Sequence, residues 1–325
     1  MAQLPSALLG AIDALAAQCE RAALARDAHA ISESYRLRTG RGERLLTRAG
    51  EAAAYAAARM PATYASAHAA LSEALFASGA APRTLLDCGA GTGAVSWAAD
   101  ALLTLSQITC LEREEAMRTT GVRLMAAGSE ALRAAQWETC DLAQDAPLPK
   151  AELVCEGYML GELPKEMRLG VAARLWDAAQ QMAVFIEPGT PQGFANLRAV
   201  RAMLLARGAH IAAPCPSGTG DCPMTEEDWC HFTVRVQRTQ LHRTLKGGEA
   251  PFEDEKYCYL AATREAPGDA CAARVLRHPQ FAPGRIGVTV CEGGAIAGRT
   301  FTKKDAQWKL VRKLSAGDRI DNRID

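Results

Sequence analysis

The feature that most constrains this chain is a short apolar run that ends in an acid and then in three alternate glycines, from Leu85 to Gly93. The stretch reads Leu-Leu-Asp-Cys-Gly-Ala-Gly-Thr-Gly. Glycines at this spacing let a backbone leave a buried strand, turn sharply and open a helix, so that main-chain N–H groups face a ligand. The stretch therefore predicts a strand, a cofactor-binding turn and a helix.

The neighbours of these glycines indicate which cofactor the turn binds. Gly89, Gly91 and Ala94 also satisfy the dinucleotide fingerprint, which is a weak signal when it stands alone. A pyrophosphate favours a helix N-terminus free of competing negative charge, whereas Asp87 lies two residues before the first glycine. An acid there suits a cationic amino-acid ligand, and the stretch resembles the S-adenosylmethionine turn of class I methyltransferases. The alternative is a glycine-rich turn without a ligand.

Short apolar runs alternate with amphipathic stretches from residue 83 onward, the pattern of a parallel sheet covered by helices on both faces. The predicted strands are 83–88, 107–112, 135–140, 151–157 and 182–187, and the predicted helices are 93–103, 114–127, 165–180 and 192–207. We therefore predict an α/β, Rossmann-like domain of the class I methyltransferase type over residues 81–264. A helical region over 1–80 precedes it, and a small basic β domain over 265–325 follows it.

Two further acids complete the predicted cofactor site. Glu112 ends the second strand about twenty residues after the glycines, where a carboxylate can accept hydrogen bonds from ribose hydroxyls. Asp141 follows the third strand, where class I enzymes often bind the adenine amino group. An exposed acid at a strand end is the alternative for each. The predicted cofactor-binding residues are Asp87, Gly89, Gly91, Gly93, Glu112 and Asp141.

The fourth strand runs into residues 155–163, at the sheet edge where a substrate would meet the methyl group. This segment lacks the Asn/Asp-Pro-Pro-aromatic signature of adenine-N6 methyltransferases and the Pro-Cys nucleophile of cytosine-C5 enzymes. Methyl transfer can proceed largely by positioning a nucleophile against the sulfonium carbon. The catalytic residues therefore stay unknown, and activity stays open.

Charge is distributed unevenly along the chain, although 37 basic residues balance 37 acidic ones. Residues 231–325 carry 17 Lys and Arg against 11 Asp and Glu, a net charge of +6, and residues 1–230 carry the compensating −6. The last part of the chain also contains short predicted strands at 272–277, 285–291, 295–302 and 307–314. The basic residues there form a predicted RNA-phosphate surface, consisting of Arg274, Arg277, Arg285, Arg299, Lys303, Lys304, Lys309, Arg312 and Lys313. A solvated basic surface without a partner is the alternative.

The ends and the cysteines of the chain indicate its compartment. Residues 1–5 form no basic signal region, and no window approaches the roughly 18 apolar residues of a membrane span. We expect a protein with no membrane partner, cytoplasmic or, in a eukaryotic source, mitochondrial, and monomeric. Its eleven cysteines are then thiols or metal ligands in preference to disulfides.

A Pro/Gly-rich segment over 213–231 holds three of the cysteines, Cys215, Cys222 and Cys230. Prolines and glycines hold a loop open so that thiolates can converge, and soft ligands favour iron–sulfur or zinc. The spacing is wider than the Cys-x2-Cys of zinc ribbons, and free thiols are the alternative. A fourth ligand must come from elsewhere, and His231, Cys258 and Cys291 are the candidates.

Several motifs occur in one order along residues 30–315 and together support a resemblance. They are Arg59-Met60-Pro61-Ala62-Thr63-Tyr64, the glycine turn, Tyr158-Met159-Leu160-Gly161-Glu162-Leu163, Glu187-Pro188-Gly189-Thr190-Pro191, Ala213-Pro214-Cys215-Pro216, Asp228-Trp229-Cys230-His231-Phe232 and Glu253-Asp254-Glu255-Lys256. In them the chain resembles the small-ribosomal-subunit methyltransferase-like family, that of ribosomal small subunit protein twenty-two and methyltransferase-like protein seventeen. The combination is far more specific than any one motif.

The resemblance implies a class I methyltransferase fold, S-adenosylmethionine as cofactor, and association with the small ribosomal subunit, its precursor or its rRNA during assembly. It also implies a four-iron, four-sulfur (4Fe-4S) cluster, with Cys215, Cys222, Cys230 and Cys291 as ligands. Cys258 then becomes a core thiol, and zinc is the alternative metal. Two functions stay open, an rRNA methyltransferase and a non-catalytic iron–sulfur assembly factor that uses the fold to bind rRNA.

Overall fold

The computed structural model describes residues 3–38, 44, 46–268 and 271–321. Four helices lead the chain into the first sheet: α1 Ser6–Ala16, α2 Arg21–Arg38, α3 Ala49–Ala58 and α4 Met60–Ser78. Alanine, the strongest helix former, dominates α3 and α4, and the break between them falls at Arg59, with Pro61 in the first turn of α4. Small side chains let these two helices pack closely, so most of their alanines are buried. The segment around Arg59 and Pro61 therefore forms a helix, a break and a second helix.

An eight-stranded sheet forms the body of the molecule. Its strands are β1 Thr84–Cys88, β2 Gln107–Glu112, β3 Gln136–Thr139, β4 Ala151–Gly157, β5 Ala179–Pro188, β6 His210–Ala213, β7 Phe232–Gln237 and β8 Phe252–Thr263. The order is β3-β2-β1-β4-β5-β8-β6, and β7 pairs with β8. The first five strands run parallel, whereas β8 runs antiparallel to β5, β6 and β7. The five parallel strands predicted from the sequence are all present.

Helices connect these strands and cover both faces of the sheet. They are α5 Ala94–Asp100, α6 Glu115–Met125, α7 Glu130–Arg133, a 3₁₀ turn at Leu160–Glu162, α8 Lys165–Ala178, α9 Pro191–Ala206 and α10 Gln240–Lys246. Successive side chains of a strand point to opposite faces. Accordingly, Leu85 of β1 belongs to the core under α3 to α6, and its neighbour Leu86 to the core under α8 and α9. An antiparallel strand placed before the last one, in an otherwise parallel sheet, is the class I methyltransferase arrangement, which confirms the predicted fold class.

A second, smaller sheet follows residue 271 and has its own apolar core. Its strands are β9 Ala273–Val275, β10 Gln280–Ala282, β11 Arg285–Glu292, β12 Ala295–Thr302 and β13 Arg319–Ile320. All of its pairings are antiparallel, in the order β10-β11-β9-β13 with β12 on β11. The strand predicted over 307–314 is wrong, because Trp308–Val311 forms a helical turn, α11, whose last residue is fully buried.

No helix in the described part of the chain combines the length and the hydropathy that a bilayer span requires.

Candidate functional site

The turn between β1 and α5 requires its glycines. All three have positive φ, 70° at Gly89, 57° at Gly91 and 86° at Gly93, a region that other residues rarely adopt. A Cβ on Gly89 would lie 2.6 Å from Cγ of Met159, and one on Gly93 would clash with Met125. The backbone therefore turns here as the sequence predicts, and the turn lies at the carboxyl end of the central parallel strand.

Asp87 lies beneath this turn and is fully buried. Its Oδ2 accepts hydrogen bonds from the Ser96 backbone N–H at 3.1 Å and from Ser96 Oγ at 2.7 Å. Its Oδ1 has no hydrogen-bond partner within the described residues. Burial raises the pKa of Asp87 to about 6, although the two bonds from Ser96 favour the charged form. The carboxylate thus fastens the start of α5 to the end of β1.

Glu112 ends β2, the neighbour of β1, and Asp141 follows β3, the next strand outward in the sheet. Oε2 of Glu112 accepts the N–H of Gly91 at 2.8 Å, and Oε1 accepts the N–H of Glu114 at 2.8 Å. Burial raises the pKa of Glu112. Asp141 is half-buried just past β3 and caps its own loop by accepting the N–H of Ala143 at 3.0 Å. The structure therefore brings the predicted acids to the same edge of the sheet as the glycine turn.

Helix α3 lies near the carboxyl edge of the sheet. Tyr55 lies near Glu112 and Arg59, and burial raises the pKa of its phenol. A bidentate ion pair also reaches the edge from the segment before α3, since Arg44 binds the carboxylate of Glu114 at 2.7 and 2.8 Å. No local pattern predicts the contacts of Tyr55 with Glu112 and of Arg44 with Glu114, because the two residues of each pair lie 57 and 70 positions apart.

Tyr158 directly follows β4 and has a φ of 63°, which is rare for an aromatic residue. Its N–H donates to the carbonyl oxygen of Ile186 at 2.7 Å, and its hydroxyl donates to Ser66 Oγ at 2.9 Å. The same hydroxyl lies 3.3 Å from Oε1 of Glu255. Contacts from three other elements therefore hold this strained residue at the substrate edge of the sheet.

Two buried carboxylates support the turn that follows Tyr158. Glu156 accepts three backbone N–H groups at 3.2 to 3.4 Å, two from the turn and one from β5. Glu187 accepts the N–H of Gly161 at 3.1 Å and the side-chain amide of Asn196 at 2.9 Å. Burial raises the pKa of both acids, that of Glu187 to about 7. Their hydrogen bonds are thus used to hold the backbone around residues 158–161.

A cavity beside β8 and α9, called the thiol cavity below, is lined by the predicted metal ligands. Cys215, Cys222 and Cys230 line it from the loop between β6 and β7, Cys291 lines it from β11, and Cys258 lines it from β8. Burial raises the pKa of the Cys215 and Cys230 thiols and raises that of Cys291 to about 11. The fold therefore places the four predicted ligands around one space, although Cys291 belongs to the second sheet.

The two other candidate ligands have different surroundings. Cys258 donates its S–H to the carbonyl oxygen of Cys230 at 3.1 Å. His231 is outside the cavity lining and stacks on Trp229, with ring centroids 5.5 Å apart. Within residues 3–38, 44, 46–268 and 271–321, no three Cys, His, Asp or Glu side chains are grouped so as to hold a metal ion. All eleven cysteines are free thiols.

Arg274 corrects the predicted RNA-phosphate surface. It is only 4% exposed and lines the thiol cavity, so its inclusion in that surface is wrong. Its Nη1 donates to Glu73 Oε2 at 3.0 Å and to the carbonyl oxygen of Gly317 at 2.9 Å, and its Nε donates to the carbonyl oxygen of Pro214 at 3.1 Å. A carboxylate on α4 draws this cation inward, and it joins the second sheet to the first.

The remaining basic residues divide into paired and exposed ones. Arg277 forms an ion pair with Asp228, and Arg299 forms one with Glu292. The others are exposed on the second sheet and around α11, namely Arg285, Lys303, Lys304, Lys309, Arg312 and Lys313. A cationic surface of six side chains is therefore available there.

Comparison with known proteins identifies relatives of this chain. A sequence model of the family described as mitochondrial small ribosomal subunit Rsm22 matches residues 49–321. The human protein named ribosome assembly protein METTL17, mitochondrial, is 29% identical over 204 residues. That alignment covers 58% of this chain and 43% of the human protein, so the chain spans less than half of its relative's length.

Among solved structures, the chain is similar to magnesium protoporphyrin IX methyltransferase from Synechocystis PCC 6803 with bound SAM. The identity is 15%, the TM-score is 0.41, and the match covers 74% of this chain and 97% of the other. Precorrin-6y C5,15-methyltransferase from Geobacter metallireducens is 16% identical with a TM-score of 0.38, over 56% and 82% of the two chains. The fold assignment rests on the strand order itself and not on these scores.

Proposed function

The chain belongs to the mitochondrial small ribosomal subunit Rsm22 family, and we propose that it binds S-adenosylmethionine and acts in assembly of the small ribosomal subunit, on or bound to its rRNA. The observation that carries the proposal is the glycine turn, with three positive φ angles and Glu112 beside it. The name of the human relative, a ribosome assembly protein, supports the assembly role. The proposed compartment is the cytoplasm or, in a eukaryotic source, the mitochondrion.

The residues at the turn fit an adenosyl amino-acid ligand. A Cβ at Gly89 would clash with the Met159 side chain and one at Gly93 with that of Met125, so these two positions of the turn carry no side chain. Each oxygen of Glu112 accepts one backbone N–H, and a carboxylate has about four acceptor sites, so both can also accept a ribose hydroxyl. The unpartnered Oδ1 of Asp87 adds negative charge below the turn. When bound, S-adenosylmethionine supplies an electrophilic methyl group.

We also propose that the thiol cavity holds an iron–sulfur cluster, with Cys215, Cys222, Cys230 and Cys291 as ligands. Zinc needs four ligands that converge on one point. In a four-iron cluster each thiolate binds its own iron, so the thiols surround a space. Four thiols that line one cavity support the cluster, and zinc is the alternative.

The exposed cations of the second sheet support contact with RNA. Residues 271–321 carry ten Lys and Arg against four Asp and Glu. Six of these cations are exposed around one sheet and the α11 turn. Phosphate contacts of this kind supply affinity without sequence specificity. We therefore propose this face as the rRNA-binding face.

One observation favours a second candidate function, a non-catalytic assembly factor. Glu156 and Glu187 lie where a general base would be expected, yet both are fully buried and occupied with backbone and amide hydrogen bonds. A catalytic base must reach the proton that it abstracts. Under this candidate, the cofactor would stabilise the fold on rRNA and no methyl group would be transferred.

Two measurements on the purified protein test these proposals. Calorimetry with S-adenosylmethionine should show binding that Gly91→Arg abolishes, because the new side chain enters the turn at a positive φ. Gly208→Arg is the matched control, since Gly208 has a φ of 79°, open space around it and a position outside the turn. Absence of binding heat in the wild type, together with no shift in melting, would refute the cofactor proposal.

Co-sedimentation with small-subunit precursors separates the two functions. The non-catalytic candidate expects Gly91→Arg to sediment with precursors as the wild type does. For the cluster, anaerobic protein should contain iron and sulfide and absorb broadly at about 400 nm. A colourless protein with stoichiometric zinc would reject iron.

A further inference from the structure

Arg201 is a buried cation that pairs with no carboxylate among the described residues. It lies on α9, lines the thiol cavity and is 6% exposed. Its Nη1 donates to the carbonyl oxygen of Gly220 at 2.6 Å, and its Nη2 donates to that of Ser217 at 3.1 Å. Its Nε has no hydrogen-bond partner within the described residues. The acceptors of these two hydrogen bonds are neutral carbonyl groups.

A second arginine in the same cavity wall provides the contrast. Arg274 is equally buried, but it forms an ion pair with Glu73. Across the described parts of the chain, no Asp or Glu oxygen lies within 4.0 Å of the Arg201 guanidinium. The one acid in the cavity lining, Asp221, is exposed to solvent. Arg201 is therefore the buried charge that needs an anion.

Burying an unpaired charge is costly, and proteins normally accept that cost only where a counter-charge is present. Apart from the exposed Asp221, the groups in the same cavity lining that can most readily become negative are thiols, including the four proposed ligands Cys215, Cys222, Cys230 and Cys291. Four thiolates around a four-iron core carry net negative charge. The positive charge of Arg201 is thus placed where such a centre would need it.

We infer that Arg201 is the counter-charge of an anionic, thiolate-held centre in this cavity. This inference rests on the proposed cluster. Through its two carbonyl contacts Arg201 also ties down the loop segment that carries Cys215 and Cys222, so the loop is held open around the centre. It is a positioning residue that acts through the thiolates, and charge and loop geometry are its two contributions.

The test compares Arg201→Met, Arg201→Lys and a control on the end of the same helix, Arg207→Met. Arg207 is exposed and pairs with Asp177, away from the thiols. In protein purified anaerobically, Arg201→Met should lose iron to a chelator about 10- to 100-fold faster than the wild type. Its cluster should have a more negative midpoint potential, because reduction adds negative charge that the cation stabilises. Arg201→Lys should restore the potential in part, and Arg207→Met should change neither value.

The cluster-free protein shows whether Arg201 is merely structural. Without the anion, Arg201→Met still loses its two carbonyl contacts but also removes an unpaired buried charge, so it should lower the melting temperature less in the cluster-free protein than in the cluster-bound protein. An equal loss of stability with and without the cluster would overturn the inference. Unchanged iron loss and potential in Arg201→Met would overturn it and leave the cluster standing. A wild type that never binds iron and sulfide would refute both.

Discussion

Replacing the buried acid beneath the glycine turn should stabilise the protein in a pH-dependent way. Burial raises the pKa of Asp87 from 3.8 to about 6. Because the folded-state pKa lies above the unfolded one, the contribution to stability is complete below pH 3.8 and is lost as the pH rises through about 6. A shift of about two pKa units, at about 1.4 kcal/mol each, corresponds to about 3 kcal/mol at neutral pH.

Asp87→Asn removes that charge and retains an oxygen for the N–H of Ser96. We expect its free energy of unfolding to match that of the wild type at about pH 4 and to exceed it by up to about 3 kcal/mol at about pH 8. Urea unfolding followed by tryptophan fluorescence across that range measures the difference. Ser96→Ala is the matched control with the opposite sign, because it keeps the charge and removes one of its donors.

A constant difference between Asp87→Asn and the wild type across this pH range would refute the reasoning, since a packing defect does not titrate. A variant that is less stable than the wild type at about pH 8 would refute it as well. Calorimetry on the same variant addresses the cofactor. If Asp87 attracts the cationic end of S-adenosylmethionine, Asp87→Asn should bind it more weakly at neutral pH.

Three further predictions concern packing and charge away from the turn. Arg274→Met should lower the free energy of unfolding by about 3–5 kcal/mol, because it leaves Glu73 unpaired and two carbonyl groups without their donor. It should also speed proteolysis after residue 264, which mass spectrometry measures. Gly121→Ala should destabilise the protein by about 1–3 kcal/mol, because its Cβ would clash with the Trp137 ring. Gly170→Ala, with open space around it, should stabilise the protein by about 0.5–1 kcal/mol. Thermal melting compares these two helical sites. Because burial raises the pKa of Glu187 to about 7, the wild type should lose stability as the pH rises through about 7, and Glu187→Gln should lose less. Urea unfolding at about pH 5 and about pH 8 measures both losses.

The elements that local patterns specify agree closely with the structure. The predicted strands at 107–112, 151–157 and 295–302 have the observed bounds, and the glycine turn has the backbone that its sequence requires. The segment 307–314 shows the limit of such patterns. Its apolar residues were assigned to a strand, but a single helical turn buries Val311 more fully against the second sheet.

Burial of charge could not be predicted from the sequence. Arg274 was assigned to an exposed surface, yet Glu73, 201 residues earlier in the chain, draws it inward. No local pattern predicts the buried charge of Arg201 or the strained φ of Tyr158, because both are properties of surroundings that distant segments supply. Whether a charged side chain is exposed or buried depends on partners that can lie far away in the sequence.

Local patterns in the sequence predict the parallel strands, the glycine turn and the cysteine-rich loop, because apolar periodicity and glycine geometry act over a few residues. Only the tertiary structure decided that β8 enters the sheet between β5 and β6, and that Cys291 reaches the loop cysteines from another sheet. These arrangements depend on contacts between residues far apart in the chain, whose free energy is realised only when the whole core packs.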